Sequence, residues 1–228
     1  VETEKSLPNR HLISQNIANG TQKITKPHPA ISIFNFHYAS PPKAVAGNYA
    51  LNKVIGDNET GFKGTNDTHY RMEAWEFIVA GGGLYNNLDY SFVAGRERGD
   101  FVYPATQPGG GNPEFRRQLT VLHDFINSFH FARMKPDKGF LASGVPKEMR
   151  AHALVEDGRQ YAACFFDPSN AAPQSLSLTL QLPAGGYALK WLDTLTGKVL
   201  ERERVKSPGA ITITSPEFRR EIALSIRR

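Results

Sequence analysis

The spacing of apolar residues changes near residue 138, and this change limits the possible folds more than any other feature of the sequence. Before it, short apolar runs alternate with helical patterns. After it, short alternating runs recur about every eight to twelve residues, with turn residues between them. The first pattern is typical of β/α units around a parallel sheet, and the second of an antiparallel β-sandwich. The sequence therefore predicts an α/β domain at residues 1–137 and an all-β domain at residues 138–228.

Four apolar runs predict the strands of the first domain. They span residues 11–17, 30–36, 53–57 and 84–88. Two helices are expected between and after them. The first is capped by Asp67-Thr68 and ends at the glycines of residues 81–83, because glycine accepts the left-handed conformation. The second begins at Asn112-Pro113, with Asn as the cap and Pro in the first turn.

Seven short strands are predicted in the second domain, and no helix fits between them. Asp157-Gly158 favours a tight hairpin between the first two. Cys164 lies within a strand and is expected to be a buried structural thiol. The predicted strands span residues 151–155, 160–166, 175–182, 187–193, 198–205, 210–214 and 221–226.

Composition excludes several classes of protein. Hydrophobic residues make up 40% and charged residues 21%, which is typical of a globular chain. No apolar run approaches the roughly 18 residues that span a membrane as a helix. The single cysteine excludes an internal disulfide and a cysteine-rich zinc site. The seven histidines are scattered singly, so neither a metal nor another cofactor is predicted.

The net charge of +5 and the pI of about 9.3 suggest nucleic acid as a partner, but the distribution of charge argues against it. The excess is divided between the two parts of the chain. The densest cluster is Arg219 and Arg220 with Arg227 and Arg228. We interpret it as a solvated edge, and no nucleic-acid partner is predicted.

Polar and aromatic residues follow all four predicted strands of the first domain. Because the carboxyl ends of parallel strands meet at one edge, these side chains are expected to lie together. Amides and carboxylates bind hydroxyl groups, and aromatic faces stack on sugar rings, so a carbohydrate substrate is predicted. The candidate substrate-binding residues are Asn16, His37, Tyr38, Asp57, Tyr85 and Asn87.

Each of these residues has a structural alternative. Asn58 can shape a turn, Asp57 can accept hydrogen bonds from loop amides, and His37 can be a structural histidine. Glu59 has the weakest structural alternative. It follows an apolar strand and precedes Thr60-Gly61-Phe62, where a carboxylate is costly unless it is paired or used. Glu59 is therefore the catalytic candidate.

Residues 70–85 resemble a motif of the apiosidase-like glycoside hydrolases, Arg…Ala-Trp…Ala-Gly-x-x-Gly-x-x-Tyr. These are TIM-barrel enzymes of bacterial polysaccharide degradation. Residues 54–61 are similar to their seventh strand, which ends in a catalytic Glu. Residues 140–228 look like the β-sandwich that often follows such barrels and that family descriptions call collagen-binding. The sequence departs from the family pattern at Tyr85-Asn86-Asn87, where Tyr-Gly is common.

The resemblance implies the C-terminal half of a (β/α)8 barrel, strands five to eight, followed by the β-sandwich. A whole barrel takes about 250 residues, so strands one to four are expected upstream of Val1. The missing N-terminal half would then be a structural partner and would carry the general acid after strand four. The implied function is part of a retaining glycoside hydrolase acting on plant or bacterial polysaccharides or oligosaccharides, with Glu59 as nucleophile. The implied location of the full-length protein is secreted or periplasmic, although this chain shows no signal peptide.

A second class of function stays open at this point. The chain could belong to a catalytically inactive protein that binds glycan or matrix protein through an adhesive β-sandwich. The retention of Glu59 in a polar strand-end setting favours the enzyme. Trp191 alternates with Leu189 and Asp193, which leaves open whether it faces the core or a ligand.

Overall fold

The structure is a computed structural model that describes Thr3, residues 6–9 and residues 11–228. The chain divides into two compact units, residues 1–112 and residues 113–228. The first is a mixed α/β unit, and the second consists mostly of antiparallel strands. The second predicted helix, which begins at Asn112-Pro113, falls in the second compact unit. The domain border at residues 137 and 138 stays a prediction.

Four parallel strands form one sheet in the first unit, and their spatial order is their order in the chain. Each strand is thus joined to its neighbour by a crossover, as the alternation of strands and helices predicts. The four strands form an open sheet rather than a closed barrel. The fourth is shorter than predicted, with only two residues. They are β1 (Ser14–Asn19), β2 (Ile33–His37), β3 (Val54–Glu59) and β4 (Leu84–Tyr85).

Helices and a short 3-10 turn accompany these strands in the described part of the unit. They are α1 (Lys43–Asn48), the 3-10 turn (Tyr49–Leu51) and α2 (Asp67–Val79). Helix α1 was not predicted. The cap of α2 is Asn66, whose Oδ1 accepts from the backbone N–H of His69 at 3.1 Å, and not the predicted Asp67-Thr68. The helix ends as predicted, because Gly81 adopts a φ of 102° after it.

The two faces of the parallel sheet differ in chemistry. One face is apolar, and its residues Phe34, Phe36 and Ile55 pack in one core with Val45 and Phe77 from the helices. Since side chains alternate along a strand, the opposite face carries Ser14, Asn16, Asn35 and Asn58. The amide of Asn35 donates to Oγ of Ser14 at 2.5 Å on that face. One side of the sheet is therefore packed by helices, and the other is lined by polar groups.

Two antiparallel sheets make up most of the second unit. Their strands are β5 (Lys135–Pro136), β6 (Leu141–Ser143), β7 (Arg150–Glu156), β8 (Gln160–Phe166), β9 (Ser177–Gln181), β10 (Gly185–Leu192), β11 (Val199–Ser207), β12 (Ala210–Thr214) and β13 (Glu221–Arg227). Six strands form one sheet in the order β11-β10-β13-β8-β7-β5, and three form the other in the order β12-β9-β6. The seven predicted strands are all present, and β5 and β6 were missed because each is very short.

One hydrophobic core is shared by both sheets. It combines Leu178 and Leu180 of the small sheet with Phe165, Leu224 and Trp191 of the large sheet. Trp191 is 1% exposed, so its side chain faces the core and not a ligand. Trp191 therefore offers no surface for stacking a sugar ring.

Helix α3 (Pro113–Asn127) and a 3-10 turn (Phe131–Arg133) precede these strands. Along α3, Phe115, Leu122 and Ile126 are buried and Leu119 is half-buried. Cys164 is fully buried as expected, and burial raises the pKa of its thiol well above the usual value. Among the described residues, no helix is both long and apolar enough to cross a membrane.

Candidate functional site at the carboxyl edge of the parallel sheet

A β-bulge at the end of β3 determines where Glu59 points. The register pairs Phe36 with Asp57 and then His37 with Glu59, so Asn58 is an extra residue in the strand. A bulge re-aims the side chains that follow it. Simple alternation predicts Asp57 and Glu59 on one side, and it does not hold here. Glu59 instead meets His37, which lies on the polar face of the sheet.

Two neighbours from β2 and the loop after it hold the carboxylate of Glu59. The hydroxyl of Tyr38 donates a hydrogen bond to Oε1 of Glu59. Nδ1 of His37 lies 3.6 Å from Oε2. The side chain of Glu59 is 34% exposed and that of His37 is 23% exposed. The carboxylate is thus positioned by protein groups and still open to a ligand.

Tyr38 is well suited to donate to a carboxylate. Burial, followed by the hydrogen bond to Glu59, raises the pKa of its hydroxyl to about 12, so Tyr38 keeps its proton near neutral pH. Its backbone N–H donates to the carbonyl of Glu59 at 2.8 Å, and its φ of 55° lies in the left-handed region. This conformation is uncommon for a residue other than glycine and often marks a functional turn.

An exposed aromatic ring lies beside Tyr38. The ring of Phe62 is edge-on to that of Tyr38, with 5.4 Å between the ring centroids. Phe62 is 66% exposed. Phe62 was not among the predicted site residues, although a large apolar residue directly after Thr60-Gly61 is a usable signal. The ring forms an exposed apolar surface beside Tyr38, as stacking on a sugar requires.

Asp57 lies in the interior, where it holds the loop that carries Tyr38. It is 1% exposed, and its Oδ2 accepts from the backbone N–H of Ala39 at 3.0 Å. Oδ1 has no hydrogen-bond partner among the described residues. Burial, helped by the charge of Glu73, raises the pKa of Asp57 to about 7, although the Ala39 N–H opposes the shift. The placement matches the structural alternative, a buried acceptor for a loop amide.

Tyr85 and Asn87 gather around Thr60 rather than Glu59. The hydroxyl of Tyr85 lies 3.1 Å from Oγ1 of Thr60 and donates to the carbonyl of Tyr70 at 3.0 Å. The amide of Asn87 donates to Oγ1 of Thr60 at 3.0 Å and is buried. Burial raises the pKa of Tyr85 well above its usual value, so its hydroxyl stays protonated. Thr60 was not among the predicted site residues. Its hydroxyl links the residue after β3 to Tyr85 and Asn87.

Asn16 lies on the polar face of the sheet with a second amide. Nδ2 of Asn58 donates to Oδ1 of Asn16 at 3.2 Å, and Nδ2 of Asn86 donates to the carbonyl of Asn58 at 3.1 Å. Asn16 and Asn86 are exposed. These amides extend the polar edge from β4 to β1 across the sheet.

The structure therefore brings together part of the predicted set. Glu59, His37 and Tyr38 are in direct contact, and Asn16 lies on the same edge through Asn58. The side chains of Asp57, Tyr85 and Asn87 instead form hydrogen bonds with other protein groups. Asp57 bonds to Ala39, and Tyr85 and Asn87 bond to Thr60. No group of three or more His, Cys, Asp or Glu side chains that could hold a metal occurs among the described residues.

Comparisons with solved structures show a likeness to glycoside hydrolases. One is a family 5 glycoside hydrolase from Bacteroides vulgatus, with a TM-score of 0.68 and 13% sequence identity, which matches 98% of this chain and 57% of its own. Another glycoside hydrolase has a TM-score of 0.61 and 14% identity, and matches 87% of this chain and 53% of its own. The chain spans little more than half the length of either structure.

At these identities the likeness shows the fold alone. No protein-family model matches the chain, and no curated protein matches it in sequence. The general likeness to glycoside hydrolases agrees with the sequence analysis. The resemblance to the apiosidase-like family and to a collagen-binding sandwich stays a prediction.

Proposed function

We propose that this chain is the C-terminal part of a retaining glycoside hydrolase, with Glu59 as the nucleophile. The observation that carries the proposal is the placement of the Glu59 carboxylate. It stands at the carboxyl end of a parallel strand, accepts a hydrogen bond from Tyr38, lies 3.6 Å from His37 and remains partly exposed. Active residues of parallel α/β folds collect at this edge.

The four parallel strands would be the second half of a (β/α)8 barrel, and the two antiparallel sheets a following β-sandwich. The order of the four strands and the polar face opposite the helices support this reading. A preceding segment of the same polypeptide would then complete the barrel and supply the general acid. Since a polysaccharide substrate lies outside the cell membrane, we expect the full-length protein to be secreted or periplasmic.

In the reaction, an oxygen of Glu59 attacks the anomeric carbon while the bond from that carbon to the leaving oxygen breaks. The general acid protonates the leaving oxygen, which leaves a glycosyl ester on Glu59. Water then attacks the anomeric carbon, gives its proton to the former acid and releases Glu59. A retaining enzyme needs about 5–5.5 Å between the two carboxyl groups. Tyr38 orients the nucleophile because its hydroxyl donates a hydrogen bond to the carboxylate.

The candidate ligand contacts follow from exposure. His37, Asn16 and the ring of Phe62 are accessible around Glu59 and would bind hydroxyl groups or the sugar face. Asp57, Tyr85 and Asn87 would act on the substrate only indirectly, because they hold the strand ends in place.

The proposal is tested by Glu59→Gln in the full-length protein, assayed on a panel of plant and bacterial polysaccharides. Gln keeps the shape of the side chain but cannot attack, so kcat should fall by about 1,000-fold or more. Polysaccharide binding and the melting temperature should stay close to those of the wild type. The matched control is Glu217→Gln, an exposed carboxylate of the second unit, which should leave kcat unchanged. If Glu59→Gln retains near-normal turnover, Glu59 is structural.

A further inference from the structure

A cleft in the second unit is lined by arginines from separate parts of the chain. Its volume is 500 Å³, within the range of about 300–1,000 Å³ typical of ligand sites. Arg133, Arg159, Arg227 and Arg228 line it, and Glu156 is the one acidic side chain among the lining residues. The cleft lies outside the parallel sheet and shares no residue with the Glu59 site.

The fold separates an arginine cluster that the sequence presents as one surface edge. Arg219 donates to the carbonyl of Ala171 at 2.7 Å, and Arg220 donates to that of Pro168 at 2.8 Å. Neither lines the cleft. Arg227 and Arg228 line it with Arg133 and Arg159, which are distant in sequence. Convergence of this kind is not visible in the spacing of charges along the chain.

Two of the four guanidinium groups are held in place by other parts of the unit. Arg227 lies over the ring of Phe129, 4.7 Å from its centroid, and donates to the carbonyl and hydroxyl oxygens of Ser128. Arg228 donates to the carbonyl of Ala184 at 3.3 Å. Side chains that are ordered before binding lose less entropy when a ligand arrives.

The positive charge of the cleft is only partly neutralised. Nε of Arg159 lies 3.8 Å from Oε1 of Glu156, and the other oxygen of Glu156 accepts from the amide of Gln160 at 2.8 Å. Four arginines and one acidic side chain line the cleft, so the lining side chains carry an excess of three positive charges. The net charge of the whole chain is +5, and the side chains that line this cleft contribute an excess of +3.

We propose that this cleft binds a polysaccharide that carries carboxylate groups, such as a chain of uronic acids. The planar guanidinium group of arginine matches a carboxylate with two parallel hydrogen bonds, which a neutral sugar cannot offer. No Phe, Tyr or Trp side chain is among the lining residues. Single-stranded nucleic acids rely on aromatic side chains for base stacking, so the lining favours a polyanionic glycan over a nucleic acid. The cleft would hold the polymer while the chemistry proceeds elsewhere.

The test is isothermal titration calorimetry of the 228-residue chain with polygalacturonate, neutral galactan and a single-stranded oligonucleotide, each at low and high salt. We expect binding of polygalacturonate that weakens with salt, and no binding of neutral galactan. The double variant Arg133→Ser/Arg159→Ser should raise Kd by about tenfold or more, the equivalent of one charge-assisted hydrogen bond.

The matched control removes the same charge elsewhere. Arg202 and Arg204 are exposed on β11 and do not line the cleft, so Arg202→Ser/Arg204→Ser should leave Kd unchanged. Near-ultraviolet circular dichroism confirms that both variants fold. An equal loss in the control, or no binding of polygalacturonate, overturns the proposal. Tighter binding of the oligonucleotide that the Arg133/Arg159 variant abolishes would identify a nucleic-acid site instead. None of these results depends on Glu59.

Discussion

The buried carboxyl of Asp57 should make the first unit less stable as pH rises, and Asp57→Asn should remove this dependence. The pKa of Asp57 is raised from its ordinary value of 3.8 to about 7, chiefly by burial. Between these values the folded chain holds a proton that the unfolded chain has released. Unfolding therefore releases a proton, and the free energy of unfolding falls as pH increases from about 4 to 7.

The expected size follows from the shift in pKa. A shift of about three units at 1.36 kcal/mol each corresponds to about 4 kcal/mol. The side chain is 1% exposed, so solvent screening is small. Asn is close in shape and can still accept from the N–H of Ala39, but it does not titrate. The stability of Asp57→Asn relative to the wild type should thus increase by about 4 kcal/mol between pH 4 and pH 8.

The chain contains one tryptophan in each unit, which makes the measurement specific. Trp75 and Trp191 are both buried. In a Trp191→Phe background, the fluorescence of Trp75 during urea unfolding reports the first unit alone. The comparison of Asp57→Asn with its parent, at pH 4 to 8, cancels the titration of all other groups.

The control is Asp100→Asn, which removes an exposed carboxylate in the same unit and should change the free energy of unfolding by less than about 0.5 kcal/mol at each pH. A stability difference between Asp57→Asn and its parent that is flat over this range would refute the reasoning. A difference that decreases with pH would mean that Asp57 is stabilised in its ionised form.

Three further predictions concern the site and the second unit. Tyr38→Phe should lower kcat of the full-length enzyme by about tenfold to 100-fold with little change in KM, because the nucleophile loses its donor; steady-state kinetics test this. Phe62→Ala should instead raise KM by about tenfold, since its ring is exposed for stacking, and an unchanged KM would exclude that role. Gly144→Ala should destabilise the second unit by about 3 kcal/mol in urea unfolding, because its φ is 94° and a Cβ would clash with the carbonyl of Ser177. The control Gly186→Ala has free space around it and should cost under about 1 kcal/mol.

Much of the fold could be predicted from apolar periodicity. The strand β3 follows from a short apolar run, and the glycine after α2 marks the end of that helix. The buried residues of α2 surround the helix and do not form one stripe. Alternating patterns likewise located seven strands of the second unit. The short strands β5 and β6 carry too few residues for a periodic signal, and β4 ended early because a polar Asn86-Asn87 pair follows Tyr85.

The residues of the site could be predicted from the sequence, but their spatial arrangement could not. Polar residues at the strand ends indicated Glu59, His37 and Tyr38, which are in contact. The bulge at Asn58 has no signature in a single sequence, yet it places Glu59 beside His37. Burial of Asp57 depends on the backbone path of the loop through Ala39, which residue types alone do not specify.

The role of Glu59 as nucleophile is tested most directly by chemical rescue of the full-length enzyme. Glu59→Gly removes the carboxylate and leaves space for a small anion. With an aryl glycoside that the wild type cleaves, azide should restore release of the aryl alcohol and form a glycosyl azide of inverted anomeric configuration, identified by proton nuclear magnetic resonance. Full activity of Glu59→Gly without azide, or rescue that gives a product of retained configuration, would contradict the assignment of Glu59 as the nucleophile.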